Sequence, residues 1–439
     1  MEIKVVKFGG SSLADAVQFK KVTEIIKEEE SRRYVVVSAP GKRSGDDTKV
    51  TDMLYVCYET AKKGGNIDEL FAKIIDRYDG IIKDLGIENW SLDEEYAFIK
   101  SSLLHKAGRD YVASRGEYLN ALILSKYLGY DFIDAADIIF FSDDGSFDSE
   151  YTNKVVKGIL SQHERAIIPG FYGSMPNGTI KTFSRGGSDI TGSIIARAAS
   201  ADLYENWTDV SGFLMADPRI IDNPKVIDVI TYRELRELSY MGATVLHEDA
   251  IFPVRVAGIP INIRNTNHPT DAGTMIVPSA STDASKDIIT GIAGKKGFSV
   301  ITLEKDMMNA ELGFGRRVLE VLEKEKISFE HLPSGIDTMS VIVNTHSLEG
   351  KRDRIITFMC KSVEPDSICI EDNLALIAVV GRRMVSAKGT ASKLLGAISR
   401  ADINIRLIDQ GSSEMNIIIA VAEKDFEKAL NAIYCEFVH

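Results

Sequence analysis

Short apolar runs alternate with stretches of helical periodicity from residue 1 to about 265, and that alternation predicts an α/β layer fold with a largely parallel sheet. Ile3 to Phe8 reads as the first strand. Phe19, Val22, Ile25 and Ile26 then recur at helical spacing up to the charged stretch Glu28-Glu29-Glu30, and Tyr34 to Ser38 reads as the next strand. Further strands are predicted at Tyr130 to Ala135, Ala166 to Pro169, Ala201 to Trp207 and Ile259 to Ile263.

Between Asn265 and Asp287 the sequence turns polar and rich in Pro, Ser, Thr and Asp, the composition of a linker. Beyond it the chain repeats itself. One constant offset of 76 pairs Gly313 with Gly389, Leu319 with Leu395 and Leu322 with Ile398, and its continuation without a gap pairs Ile327 with Ile403, Met339 with Met415, Val341 with Ile417 and Val343 with Ile419. Each copy reads strand, Gly turn, amphipathic helix, strand, strand, opened by Ser299 to Leu303 and by Ala375 to Val380. Two such βαββ units can join their sheets side by side, and a plain dimerisation platform is the simplest use for them. The expected domains are 1–283, 284–365 and 366–439.

Composition excludes several classes. With 52 basic and 64 acidic residues the formal charge is -12, so no global field draws the chain to nucleic acid or an anionic membrane, and a bound nucleotide needs a local basic pocket. The four cysteines show no CxxC spacing and the seven histidines no HExxH cluster, so no metal centre is expected and a reduced cytosol fits best. Met1-Glu2-Ile3-Lys4 runs straight into an apolar strand, and no apolar run approaches the roughly 18 residues of a membrane span. Neither a signal peptide nor an anchor is expected.

Four polar clusters carry candidate chemistry. Lys7-Phe8-Gly9-Gly10-Ser11-Ser12 follows the first strand, and its glycines let backbone N–H groups turn toward an anion beside the Lys7 charge. A tight strand-to-helix turn with a capping serine explains the same residues. There is no GxxxxGK[ST] phosphate loop. Ser184-Arg185-Gly186-Gly187-Ser188-Asp189 is a second nest, where Arg185 can grip a carboxylate with a bidentate fork while Ser188 or Asp189 can cap the following helix. Trp207-Thr208-Asp209 and Asp217-Pro218-Arg219 follow a strand where open α/β sheets place ligands: Asp209 suits a ribose or base edge and Arg219 a phosphate, although an ordinary turn accounts for the latter. In Ser114-Arg115-Gly116-Glu117, Glu117 suits a substrate ammonium, or is a solvated glutamate at a helix start.

Taken in order, Lys-Phe-Gly-Gly-Ser-Ser, Arg-Gly-Glu, Phe-Ser-Arg-Gly-Gly-Ser-Asp, Trp-Thr-Asp-Val, Asp-Pro-Arg and the paired C-terminal repeats resemble the aspartokinases over nearly the whole chain. The resemblance implies an amino-acid-kinase αβα sandwich followed by two ACT domains. It implies transfer of the ATP γ-phosphoryl group to the β-carboxylate of L-aspartate, the first step toward lysine, threonine and methionine, with Mg²⁺ on the phosphates. By resemblance Lys7, Asp189 and Gly10 are catalytic. Ser38, Thr51, Glu117, Arg185 and Ser188 bind aspartate; Lys7, Gly9, Gly10, Ser11, Thr208, Asp209, Asp217, Arg219, Thr244 and Val245 bind the nucleotide. One departure stands out: where the family reads Gly-Ala-Lys-Val-Leu-His-Pro this chain has Gly242-Ala243-Thr244-Val245-Leu246-His247-Glu248, losing a phosphate-contacting lysine at a cost of about 1–3 kcal/mol unless Arg219 or a neighbouring lysine replaces it.

The resemblance places an amino-acid effector, lysine before threonine, near Met308 to Gly313 and Ser334 to Asp337, with Asp337 taking its ammonium. The second copy has Gln410-Gly411-Ser412-Ser413 there, so only the first is expected to bind tightly. The exposed sheet edges suggest a homodimer or homotetramer. A silent amino-acid sensor and a same-fold kinase for another acidic amino acid are the rival readings; the retained Lys7, Arg185 and Asp189 speak against silence.

Overall fold

The computed structural model describes residues 2–184, 186–242, 246, 248–280 and 287–438. They form two compact units, the first built from 2–213, 226–232 and 246–280, the second from 214–225, 233–242 and 287–438.

In the first unit β1 (Lys4–Phe8), α1 (Ala16–Glu28) and β2 (Arg32–Val37) make the expected βαβ start, with β1 and β2 parallel neighbours. Asp15 caps α1 by accepting from the Gln18 N–H at 3.0 Å, and Phe19, Val22, Ile25 and Ile26 are all buried. The helices α2 (Val50–Lys62), α3 (Asp68–Leu85), α4 (Asp93–Leu104) and α5 (Arg109–Leu128) follow, then β3 (Asp131–Phe132), α6 (Ser149–Leu160), β4 (Ala166–Pro169) and the hairpin β5 (Tyr172–Ser174) and β6 (Ile180–Thr182). Next come α7 (Gly187–Ala198), β7 (Leu203–Thr208), β8 (Val229–Thr231), α8 (Tyr232–Tyr240), which runs on into the second unit, α9 (Glu248–Ala257), β9 (Ile261–Asn265) and β10 (Thr274–Val277). The sheet order is β3-β4-β2-β1-β7-β9-β10-β8, parallel throughout except between β9 and β10. Helices on both faces bury the central strands on both sides, which is why Val35, Val36 and Val37 form an unbroken apolar run. Ala135, expected at a strand end, lies in a 3-10 turn instead.

The second unit holds β11 (Gly291–Glu304), α10 (Phe314–Lys324), β12 (Phe329–His331), β13 (Thr338–Asn344) and α11 (Arg352–Val363), then β14 (Ser367–Val380), α12 (Thr390–Arg400), β15 (Leu407–Asp409), β16 (Asn416–Ala422) and α13 (Phe426–Phe437). Their strands form one antiparallel sheet, β12-β13-β11-β14-β16-β15, so the two copies do join side by side. Each copy carries a closing helix, α11 or α13, absent from the predicted βαββ pattern. Its signal was available in Ile355, Met359 and Val363, spaced four residues apart and all buried.

The repeat offset also needs correcting. It is 76 for β11 and β14 and for α10 and α12, but β13 and β16 begin at 338 and 416, an offset of 78. Leu303 faces Met339 whereas Val379 faces Ile417, so Ile417 and not Met415 is the counterpart of Met339. A shift of two residues returns every side chain to the same face of a strand, so the slip leaves the apolar pattern unchanged.

Both long strands bend midway, at Gly297 (φ +91°) and Asn373 (φ +61°). The first half of β11 pairs with the second half of β14, alongside β16; the second half of β11 lies between β13 and the first half of β14. Each four-stranded half of the sheet thus borrows a strand from the other copy, and a division at 365/366 separates β14 from the sheet half that its first residues complete.

Candidate active site

Sheet order places the site. β1 lies between β2 and β7, and from there the chain builds outward through β2 and β4 on one side and β7 and β9 on the other. Loops leaving strands at such a reversal diverge and open a crevice at the carboxyl ends. Lys7 stands near the end of β1, with Gly9, Gly10 and Ser11 in the turn after it; Ser38 follows β2, Thr208 ends β7 and Asp209 comes next.

The Lys7 ammonium lies 2.6 Å from Asp189 Oδ1 and 3.4 Å from Asn206 Oδ1. Asn206 Nδ2 donates to the same Asp189 oxygen at 2.8 Å, which closes a three-membered cluster. Lys7 and Asn206 are buried and Asp189 nearly so, in the first turn of α7. Asn206 escaped the sequence reading because its role depends on Lys7, far away in the chain; the adjacent polar pair Glu205-Asn206 within β7 was the available signal.

The first nest is narrower than expected. The Gly9 N–H donates to the Trp207 carbonyl and the Ser12 N–H to the Gly9 carbonyl, both at 3.0 Å, so donation to a ligand falls to Gly10 and Ser11 and not to Gly9. In the second nest Gly186 opens α7 at φ +58° with no side-chain cap, so Ser188 and Asp189 do not cap the helix. The amides of Gly187 and Ser188 therefore have no backbone acceptor among the described residues. Phe171 packs against this turn at φ +82°, where a Cβ on Gly187 would meet its ring at 2.4 Å. Such strain is common beside functional sites.

Glu117 is not at a helix start but in the middle of α5 and fully inside the protein. Burial pushes its carboxyl up to about 8, against the opposing pull of the Ala39 and Glu117 backbone N–H groups and of Arg115. Its Oε2 is buried with no hydrogen-bond partner among the described residues. One turn on, Asn120 Nδ2 donates to the Ser38 carbonyl at 2.7 Å and ties α5 to the end of β2. Thr51 lies half-buried in the first turn of α2.

Thr208 donates to Asp209 at 3.2 Å at the surface. Asp217 and Arg219 belong to the second unit, and the Asp217 carboxylate accepts from the Arg219 backbone N–H and Nε, both at 2.9 Å. Arg185, Thr244 and Val245 lie outside the described residues. The two expected effector segments do meet: Asp337 Oδ1 accepts from the Met307 N–H at 2.9 Å, and the Asn309 N–H donates to the Ile336 carbonyl at 3.1 Å. Met308 is buried, Gly313 opens α10 at φ +79°, and Ser334 bridges to Met339.

Residues 2–265 match the amino acid kinase family and residues 377–437 the ACT domain. Aspartokinase 3 of Bacillus subtilis is 38% identical over 449 residues, covering 99% of this chain and 98% of its own. The chain belongs to the aspartokinase family. The crystal structure of Clostridium acetobutylicum aspartate kinase, described as an allosteric enzyme, superposes with a TM-score of 0.88 at 52% identity, covering 100% and 99% of the two chains. The Escherichia coli aspartokinase III in complex with aspartate and ADP shares the fold at 24% identity and a TM-score of 0.74, over 100% of both chains. This aspartokinase is an ATP-dependent phosphotransferase with allosteric ACT regulatory domains, and the silent-sensor reading gives way to it. Among its described residues no helix is long and apolar enough to cross a membrane.

Proposed function

We propose that the Lys7, Asp189 and Asn206 cluster is the phosphoryl-transfer centre, and that it serves attack of the L-aspartate β-carboxylate on the ATP γ-phosphorus. A new O–P bond forms, the bond to the ADP β-phosphate oxygen breaks, and the products are 4-phospho-L-aspartate and ADP. The carboxylate is already a nucleophile, so no general base is needed, and the protein's task is positioning and charge neutralisation. Lys7, its ammonium held by Asp189, stabilises charge on the phosphoryl oxygens; Gly10 and Ser11 add amide donors. The ion pair of buried Lys7 with Asp189 at the topological switch point is the observation that carries this reading.

The unpartnered Glu117 oxygen supports its role as acceptor for the aspartate ammonium, with Arg185 on the α-carboxylate and Ser38, Thr51 and Ser188 adding hydrogen bonds. Thr208 and Asp209, with Thr244 and Val245, complete the nucleotide site. A Mg²⁺ on the nucleotide phosphates would supply neutralisation of their charge. Lysine is the proposed effector at Met308, Gly313, Ser334 and Asp337, as the E. coli aspartokinase III was crystallised with lysine and aspartate; threonine is the alternative. A homodimer or homotetramer through the ACT domains completes the reading.

ADP release from MgATP with aspartate, beside glutamate and no-substrate controls and with lysine or threonine added, tests it. Aspartate-dependent turnover abolished in Lys7→Ala and suppressed in the wild type by lysine is expected; full turnover in Lys7→Ala overturns the assignment of the centre.

A further inference from the structure

Arg77 on α3 is a buried cation that none of this chemistry uses. It spends its guanidinium on three oxygens. Nη1 donates to Asp47 Oδ2 at 2.7 Å, and Nη2 donates to the carbonyls of Gly41 at 2.7 Å and Ala14 at 2.9 Å. Ala14 closes the turn that begins at the first nest, whereas Gly41 and Asp47 lie on the loop between β2 and α2, which runs from Ser38 to Lys49. That loop presses on the nest itself. The Gly41 N–H donates to the Gly10 carbonyl at 2.8 Å, and a Cβ on Gly41 would sit 2.6 Å from the Gly10 carbonyl carbon. Asp47 is gripped in turn by Arg43, through its backbone N–H and Nε, both at 2.9 Å, and Nη2 at 3.1 Å.

We propose that Arg77, with Asp47, is a positioning pair for the kinase reaction: it staples the 39–49 loop to the Gly9–Ala14 turn and so fixes the spacing between the aspartate pocket and the phosphate nest. The inference rests on the placement of those two sites proposed above. Three oxygens in different directions suit a planar fork with several donors, and a lysine ammonium cannot reproduce that geometry. An error of about 1 Å in the placement of reacting groups costs on the order of 100-fold in rate, so loosening this loop reads out in catalysis.

The test compares Arg77→Ala, Arg77→Lys, Asp47→Ala and Lys7→Ala by steady-state kinetics, nucleotide binding and thermal melting. For Arg77→Ala we expect kcat to fall at least tenfold and the aspartate KM to rise severalfold, with nucleotide Kd within about threefold of wild type. Arg77→Lys should be similarly impaired. A groove of about 480 Å³, lined among others by Arg43, Asp47, Lys73 and Arg77, gives a small cation access, so millimolar guanidinium should restore part of the activity of Arg77→Ala and none to Lys7→Ala. If Arg77→Ala does not fold, Asp47→Ala decides by the same kcat and aspartate KM. Kinetic constants within twofold of wild type in the folded variant, or loss that guanidinium leaves untouched and that tracks loss of folded protein, overturns the proposal. Full activity in Lys7→Ala would instead overturn the site assignment on which it rests.

Discussion

Lys7 on β1 and Asn206 on β7 face each other across a parallel pair, and both side chains converge on one oxygen of Asp189. Two donors on a single carboxylate oxygen fix the position of the Lys7 ammonium as well as its charge. The pair also joins the strands that flank the switch point, so the cluster forms only when β7 docks on β1.

Removing the cation should cost more than removing its guide. Lys7→Met is expected to lower kcat at least 100-fold, the scale of one lost electrostatic donor to a transition state. Asn206→Ala keeps the ion pair and should lose about tenfold, with nucleotide affinity little changed. ADP release at saturating substrates checks both, and an unchanged kcat in Asn206→Ala would show that the second donor does not orient Asp189.

Glu117 predicts a pH signature. Its carboxyl titrates near 8 in the folded chain against 4.5 as the ordinary value, so between those limits the folded state holds a proton that the unfolded state has released. The associated stability is fully present below about pH 4.5 and is lost as pH rises through about 8. Urea unfolding at pH 5 and pH 8 should show this decline in the wild type and a shallower one in Glu117→Gln. Aspartate binding below pH 8 should also release a proton, because the ammonium favours the ionised form; calorimetry in buffers of different ionisation enthalpy measures it.

The two adjacent glycines should differ sharply. A Cβ on Gly10 would meet the Ala39 carbonyl at 2.8 Å, against 3.6 Å for the nearest neighbours of one on Gly9. Gly10→Ala must displace the 39–49 loop and is expected to lower kcat/KM for ATP by 10-fold to 100-fold. Gly9→Ala should stay within a few-fold of wild type in the same assay.

In the second unit, Asp337 accepts a single backbone donor among the described residues, through Oδ1, which leaves its charge for an effector ammonium. Asp337→Ala should raise the lysine concentration for half-inhibition at least tenfold without changing uninhibited kcat. Substituting Met415, its counterpart in the second copy at the offset of 78, should do neither. Inhibition curves decide, and full sensitivity of Asp337→Ala would remove that residue from the effector site.

Much of this protein was legible from its sequence, because the signals are local. Period-2 and period-3.6 patterns gave β1, α1, β2 and the repeat, and the paired glycines marked both nests, since backbone N–H groups reach an anion only where the chain turns without a Cβ in the way. What stayed hidden depended on what packs against what. α5 buries Arg115, Glu117 and Asn120 along with its apolar residues, so it shows no apolar stripe, and the sequence could not tell a solvated Glu117 from one buried in the interior. Asn206 acquires its role only when β7 lies beside β1. The two-residue slip between β13 and β16 is silent because strand side chains repeat every two residues, and the exchange of strand halves between the ACT copies is set by bends at Gly297 and Asn373 that only the paired sheet reveals. The sequence by itself determined the βαβ start, the repeat, the nests and the family; the tertiary structure decided which polar groups lie buried together, because burial and pairing belong to contacts between segments far apart in the chain.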